Sequence, residues 1–221
     1  MHFGVKNPCT DYTLEGATLP SRDHQKDLGV IISRAGTFSE HCEQLAAHAR
    51  RIFGMVLRTF RSRHPQVMLP LFKSLIRPAV EYATPVWSPN LQKDIEEVGS
   101  VQRKFTKCIA GFRNCSYVQR LRALQLPTLA LRREYYDLLE CYKLIRGTVQ
   151  SECCSSFVVS NNCTRGHAYK IKLTQQTPRL SIRANFLTER VVRSWNALPA
   201  HIVALADYSH FKLALKRYLN V

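Results

Sequence analysis

Hydrophobic positions recur at intervals of three and four over much of the chain, which is the spacing that gives an α-helix one apolar face. The pattern is clearest between residues 38 and 60. The apolar positions of this first segment are Cys42, Leu45, Ala46, Ala49, Ile52, Phe53, Val56 and Phe60, with Arg50, Arg51, Arg58 and Arg61 at other positions. Thr37 and Glu40 have the spacing of a capping box, so we predict that the helix starts there.

Further helices are predicted after this one. An apolar stripe from Val67 to Ile76 contains Pro70, which we expect in a first turn or at a kink because proline lacks the backbone donor. A third helix runs from residue 91 to about residue 111. A short helix capped by Ser116 and a longer one closed by Gly147 follow. Between the second and third helices, Tyr82 and Trp87 are interpreted as core residues.

The two ends of the chain carry a different pattern. Near the N-terminus, the segments 12–16 and 28–32 are rich enough in apolar and β-branched residues to predict strands, which together suggest a hairpin or small sheet. Residues 168–173 alternate like a half-exposed strand with a basic face. Helices are predicted from Phe186 to Leu198 and from Phe211 to Leu219.

These elements predict a mainly α fold, namely a helical bundle with a small N-terminal β-hairpin and a small α+β C-terminal region. The predicted divisions are strands over 1–37, a helical domain over 38–147 and a C-terminal region over 164–221. Residues 148–163 lose the helical period and nearly all charge, which is typical of a linker.

The charge of the chain indicates a class of partner that the apolar pattern does not. The 32 lysines and arginines exceed the 16 acidic residues and leave a net charge of +16. Residues 45–147 hold 18 basic against 7 acidic side chains, and residues 164–221 hold 10 against 2. Such an excess favours a polyanionic partner. The alternative interpretation is a basic surface that serves only solubility.

The sequence carries no signal-peptide pattern at its start and no apolar run of about 20 residues. We therefore expect a cytoplasmic or nuclear protein without a membrane partner. In a reducing compartment the eight cysteines are expected as thiols rather than disulfides. Cys108 and Cys115 are interpreted as apolar filler in the core.

Several short motifs extend over nearly the whole chain, namely Met1-His2-Phe3-Gly4, Tyr12-Thr13-Leu14-Glu15-Gly16, Lys26-Asp27-Leu28-Gly29-Val30, Leu69-Pro70-Leu71-Phe72-Lys73-Ser74-Leu75-Ile76-Arg77-Pro78, Glu81-Tyr82-Ala83, Val86-Trp87-Ser88-Pro89, Val101-Gln102-Arg103, Thr164-Arg165-Gly166-His167 and Val192-Arg193-Ser194-Trp195-Asn196-Ala197-Leu198-Pro199. In this order they resemble the end of the reverse transcriptases of non-LTR retrotransposons of the jockey and chicken-repeat type.

This resemblance implies that residues 1–33 are closing strands of a polymerase palm, that 38–147 are a helical thumb and that 164–221 are the region after the polymerase. It implies binding of RNA or DNA, as a duplex or hybrid, through phosphate contacts without sequence reading. The basic residues expected to make these contacts are Arg50, Arg51, Arg58, Arg61, Arg63, Lys73, Arg77, Arg103, Lys104 and Lys107.

Polymerisation needs carboxylates close enough to hold two Mg²⁺ ions, and the paired aspartates of the family are missing. The aspartates lie at 11, 23, 27, 94, 137 and 207, and Glu96-Glu97 is the only adjacent acidic pair. On a helix such neighbours point in different directions, so we interpret them as solvated surface. The chain is therefore expected to be a fragment without polymerase activity and without a cofactor.

Two alternatives remain open. Instead of a nucleic-acid-binding fragment, the chain is either a product of a decayed element without function or a small interaction module stabilised by zinc. Cys154, Cys163 and His167 are three candidate zinc ligands, and Cys153 is a poor fourth because adjacent cysteines rarely bind one ion. The paired spacing typical of closed zinc sites is missing, so no metal site is predicted.

Overall fold

The computed structural model describes residues 1–3, 7–149, 157, 173 and 181–221, and these residues confirm a mainly helical protein with N-terminal β-hairpins. The helices are α1 (Ser39–Thr59), α2 (Pro65–Leu71), a π-helical segment (Phe72–Ile76), α3 (Arg77–Glu81), α4 (Thr84–Trp87), α5 (Gln92–Lys107), α6 (Tyr117–Leu124), α7 (Leu129–Ile145), α8 (Ser181–Ala184), α9 (Leu187–Asn196), α10 (Ala200–Val203) and α11 (Tyr208–Leu219).

The N-terminal strands form two separate antiparallel hairpins. Strand β1 (Thr13–Leu14) pairs with β2 (Ala17–Thr18), and β3 (His24–Asp27) pairs with β4 (Val30–Ser33). The predicted N-terminal β structure is confirmed, but the segments 12–16 and 28–32 belong to different hairpins and do not pair with each other. Glu15-Gly16 and Leu28-Gly29 all have positive φ angles, which two-residue hairpin turns require. Each segment therefore turns back on its immediate neighbour.

Helix α1 forms where the apolar spacing predicts it, but its start differs from the prediction. The N-cap residue is Phe38, which makes no side-chain capping bond. The Thr37 hydroxyl lies 2.9 Å from the Ser33 hydroxyl, and Glu40 lies 2.6 Å from His24. The predicted capping box is wrong because both of its side chains are engaged with the β3–β4 hairpin.

Prolines shape the segment between α1 and α5. Pro65 is the first residue of α2, where its missing donor costs little. Pro70 lies inside α2, and the backbone widens into the π-helical segment directly after it, which confirms the expected irregularity. Trp87 is fully buried as predicted, whereas Tyr82 is 57% exposed, so its assignment to the core is wrong.

Local capping explains the ends of the next helices. Ser116 and Gln119 form a complete capping box at the start of α6, as the sequence predicts for Ser116. The Thr128 hydroxyl accepts a bond from the Leu131 amide at the start of α7. Gly147 follows the end of α7 with a positive φ angle, as expected for a residue that closes a helix.

The described residues pack into two apolar cores. The first combines β4, α1, the π-helical segment, α5 and α6, with Phe72 and Phe105 in ring contact at 4.9 Å. The second combines α7, α9 and α11, with Tyr142 and Phe211 stacked at 4.1 Å. The cores meet within α7, because Leu129 belongs to the first and Tyr135 to the second.

The predicted domain boundary at 148–163 stays a prediction, since most of that stretch lies outside the described residues. The predicted strand over 168–173 also lies outside them, apart from Leu173. That residue is buried, and its backbone exchanges two hydrogen bonds with the side chain of Asn196 at 3.0 and 2.8 Å.

Two further observations concern the helices and cysteines of the described part. No helix there is long and apolar enough to cross a membrane. Cys9, Cys42, Cys108, Cys115 and Cys141 are free thiols. Cys42 and Cys141 are buried, but Cys108 is exposed and Cys115 half-buried, so the prediction that the latter pair fills the core is wrong.

Candidate nucleic-acid interface

Helix α1 carries an exposed basic stripe. His48, Arg51, Met55 and Arg58 follow one another at spacings of three and four, and all four are exposed. The opposite face of the helix buries Cys42, Ala46, Ala49 and Val56 in the first core. The helical period that places these apolar residues on the buried face therefore also places the four residues of the stripe on the exposed face.

Six of the ten basic residues expected at the interface are exposed and make no hydrogen bond or ion pair with the described part of the chain. These six are Arg51, Arg58, Arg61, Lys73, Lys104 and Lys107. The end of α5 lies beside the end of α1, since the Ala110 amide donates to the Arg63 carbonyl at 2.8 Å. The basic residues of the last turns of α1 and α5 therefore belong to the same end of this helix pair.

The other four expected residues are engaged within the protein. Arg50 forms an ion pair with Glu97. Arg63 donates to the Leu57 carbonyl at 2.8 Å and to the Phe60 carbonyl, so it satisfies free acceptors at the end of α1. These two guanidinium groups stabilise the fold, and the prediction that they face phosphates receives no support from their geometry.

Arg77 and Arg103 are engaged in a similar way. Arg77 is half-buried and lies 3.8 Å from Glu81, and burial together with the neighbouring Arg132 lowers its pKa. Arg103 donates to the Glu96 carbonyl at 2.6 Å and lies over the ring of Tyr117. Both side chains are held against the protein surface rather than extended from it.

The ion pair of Arg50 also corrects the interpretation of Glu96-Glu97 as solvated surface. Glu96 is exposed and accepts a bond from Gln92 at 2.7 Å. Glu97 is half-buried, because it points towards α1 and accepts from Arg50. Neighbouring glutamates on α5 therefore have different environments, as expected for positions about 100° apart on a helix.

A cleft of about 560 Å³ adjoins the basic stripe. It lies between the β3–β4 hairpin and α1, and its polar lining residues are Lys26, His41, Gln44, His48 and Arg51. The described residues that line it include no acidic side chain. The cleft therefore extends the positive surface of α1 towards the hairpin.

His41 is the buried member of this cleft. Its Nδ1 accepts a bond from the Ile31 amide at 3.3 Å, which leaves the proton of a neutral imidazole on Nε2. Nε2 is buried and has no partner among the described residues, although the ring lies edge-on to Trp87 at 5.1 Å. Burial, together with Lys26, lowers the pKa of His41.

The described carboxylates do not gather into a metal-binding cluster. No group of three or more His, Cys, Asp or Glu side chains there could hold a metal ion. The buried Asp94 accepts from the Ser39 hydroxyl at 2.7 Å, and Asp137 is bound to Arg190. Cys153, Cys154, Cys163 and His167, the residues of the zinc alternative, lie outside the described residues.

Sequence reasoning missed a second basic surface. Arg122 on α6 and Lys216 and Arg217 on α11 are exposed and line one groove. The charge excess of residues 164–221 was the available signal. It could not assign individual side chains, because α6 and α11 are about 90 residues apart and only the tertiary fold brings them together.

Comparisons with known proteins give no match for this chain, whether with protein-family models, with curated proteins or with solved structures.

Proposed function

We propose that the chain binds nucleic acid through the phosphate backbone and that the exposed stripe of α1 makes the central contacts. The observation that carries the proposal is the pair Arg51 and Arg58, whose side chains are both exposed and make no hydrogen bond or ion pair with a described residue. They are two turns apart, which is about 10 Å along the helix axis. A duplex strand presents one phosphate per about 3.4 Å of its axis, so a helix lying along it can reach two phosphates of one strand.

Arg61, Lys104 and Lys107 extend this contact beyond the stripe, and the cleft that contains Lys26 extends it at the other end. Contacts of this kind give affinity and orientation without reading bases. The expected ligand is therefore any duplex or hybrid, with an affinity that falls steeply as salt rises.

The resemblance to reverse transcriptases motivates the choice of ligand. We propose a fragment of such an enzyme that retains primer-template binding and lacks polymerase activity. Its six aspartates are all isolated in the sequence. The two buried ones, Asp94 and Asp137, are bound to a hydroxyl and a guanidinium group. Neither belongs to a group of three or more described His, Cys, Asp or Glu side chains that could hold a metal ion.

The test is binding of the full chain to a labelled RNA–DNA hybrid at several salt concentrations. The variant Arg51→Glu/Arg58→Glu should bind at least tenfold more weakly at moderate salt, and its salt slope should fall by about 2. The matched control is Lys93→Glu/Arg193→Glu, which makes the same change of charge at exposed residues of α5 and α9.

Equal losses in both double variants would mean that net charge alone drives binding, which contradicts a defined contact surface. No binding by the unaltered chain would contradict the proposal as a whole and would favour the product of a decayed element. A primer-extension assay with Mg²⁺ on the same hybrid tests the second part, because any extension would contradict the absence of polymerase activity.

A further inference from the structure

A groove of about 820 Å³ lies between α6, which packs in the first core, and α11, which packs in the second. Its described lining includes as many aliphatic residues as polar and basic ones. The aliphatic lining residues are Val118, Leu121, Leu126, Pro127, Leu213 and Val221. Two of them are large apolar side chains left open to solvent, since Val118 is 58% and Leu213 is 47% exposed.

Neither of these two exposed side chains packs in one of the apolar cores. Helix α6 buries Leu121 and Leu124 in the first core, and α11 buries Phe211 and Leu215 in the second. Val118 and Leu213 are additional apolar positions outside the buried faces. Exposed apolar surface that lines a groove and is bordered by polar residues is typical of a protein interaction site.

The border of the groove is basic. Arg122 lies on the α6 side, and Lys216 and Arg217 lie on the α11 side. None of the described lining residues has an acidic side chain. Lys216 also lines a neighbouring cleft of about 370 Å³ that contains Lys212, so the positive border continues along α11. Charge complementarity therefore favours an acidic occupant.

The apolar floor distinguishes between a polypeptide and a nucleic acid. Single strands bind through aromatic platforms that stack on bases. Tyr117 is the only aromatic among the described residues of the groove. Its hydroxyl donates to Gln102 at 2.9 Å, and the guanidinium groups of Arg103 and Arg120 lie over its ring. With that ring engaged, the floor offers aliphatic surface, which fits leucine, isoleucine or methionine side chains.

The helix that forms one wall of the groove is long enough to contact successive turns of a bound helix. Helix α6 has eight residues and is about 12 Å long. Apolar side chains at positions i, i+3 or i+4, and i+7 of a bound helix span about 10 Å. We propose that this groove binds an acidic amphipathic helix of a partner protein, with aliphatic anchors on Val118 and Leu213 and carboxylates opposite Arg122, Lys216 and Arg217.

The test uses a displayed library of random 16-residue peptides, selected on the full chain and counter-selected on the variant Val118→Glu/Leu213→Glu. We expect the selected peptides to have apolar residues at intervals of three and four, flanked by Asp or Glu. In solution, a labelled selected peptide should bind the double variant at least tenfold more weakly than the unaltered chain. Lys216→Glu/Arg217→Glu should weaken the same peptide mainly at low salt.

The matched control is Val86→Glu/Leu91→Glu, which places the same charges at an exposed valine and leucine outside the groove, and it should keep binding within twofold. The variants are compared by circular dichroism and thermal unfolding. If Val118→Glu/Leu213→Glu fails to fold, Val118→Glu alone serves, since that side chain is the more exposed of the two.

Three results would overturn the proposal. The first is selected peptides that lack acidic residues or apolar spacing, or that bind the double variant equally well. The second is a (dT)16 oligonucleotide that competes with the peptide and loses affinity in the same variant, which would assign the groove to nucleic acid. The third is self-association that Val118→Glu/Leu213→Glu abolishes and the peptide blocks, which would make a second copy of the chain the occupant.

Discussion

Arg190 on α9 binds both carboxylate oxygens of Asp137 on α7, each at 2.8 Å. The same guanidinium group donates to the Pro85 carbonyl of α4 at 2.7 Å. Asp137 is buried and Arg190 is half-buried. This pair therefore connects the second core to the segment that carries the fully buried Trp87 of the first.

Removing Arg190 alone should lower the free energy of unfolding much more than replacing both Asp137 and Arg190. Arg190→Met leaves Asp137 buried without its cation, and we expect a loss of roughly 3 kcal/mol in the free energy of unfolding. Asp137→Leu/Arg190→Met should recover most of that loss. Urea unfolding at pH 7.5 measures both, with the exposed Arg193→Met of the same helix as control. A loss below about 1 kcal/mol in Arg190→Met would contradict the structural role of the pair.

The same variant should depend on pH in a defined direction. Burial already raises the pKa of Asp137, against the opposing effect of Arg190. Without Arg190, the protonated carboxyl is favoured further in the folded state. A folded-state pKa above the unfolded one gives stability that is present at low pH and lost as pH rises. The deficit of Arg190→Met relative to the unaltered chain should therefore be smaller at pH 5 than at pH 7.5.

Tyr82 holds the turn of the β3–β4 hairpin. Its hydroxyl donates to the Leu28 carbonyl at 2.9 Å, and a Cβ at Gly29 would lie 3.3 Å from its ring. Because the bond is exposed, Tyr82→Phe should cost less than about 1 kcal/mol in global stability. It should nevertheless speed hydrogen exchange at the amides of β3 and β4. Unchanged exchange there, with the exposed Tyr218→Phe as control, would contradict this role.

Local signals predicted most of the helices correctly. The apolar period of α1, the cap at Ser116 and the closing Gly147 each depend on residues within one or two turns, so the sequence contains them directly. The sequence does not predict the correct strand pairs, because the apolar side chain of Leu28 is typical of a strand residue. Only its left-handed backbone, with φ of +43°, places it in a turn.

The exposed basic surface of α1 could be predicted only in part, for a related reason. The sequence identifies arginines but not their partners. Arg50 and Glu97 are 47 residues apart, so neither the pairing nor the loss of Arg50 from the exposed surface can be derived from spacing. The groove between α6 and α11 was missed because its apolar and basic residues belong to helices that meet only through tertiary packing.

His41 should make the stability of the protein depend on pH. Burial lowers its pKa in the folded state, so the unfolded chain takes up a proton first as pH falls below about 6.5. Folded-state stability should therefore fall between that pH and the lowered pKa. In His41→Gln, whose amide oxygen can still accept from the Ile31 amide, this part of the pH dependence should disappear.

The measurement is urea unfolding of His41→Gln and of the unaltered chain from pH 7.5 to 5. The difference in free energy should move in favour of the variant as pH falls. His48→Gln, which removes an exposed imidazole from the same helix, is the control. A pH-independent difference for His41→Gln would mean that this imidazole titrates in the same way in both states.

Arg50 and Arg51 are neighbours on α1 with different environments, which makes them a direct test of the proposed interface. Arg50 is paired with Glu97, whereas Arg51 is exposed and lines the cleft beside the hairpin. Arg50→Gln should lower stability by at most about 1 kcal/mol, since the pair is partly solvated, and should change hybrid affinity less than twofold. Arg51→Gln should leave stability within about 0.5 kcal/mol and reduce the salt slope of binding by about 1. Urea unfolding measures the stability of the two variants, and fluorescence anisotropy measures their hybrid binding. A larger loss of binding in Arg50→Gln than in Arg51→Gln would contradict phosphate contacts on the exposed face of α1.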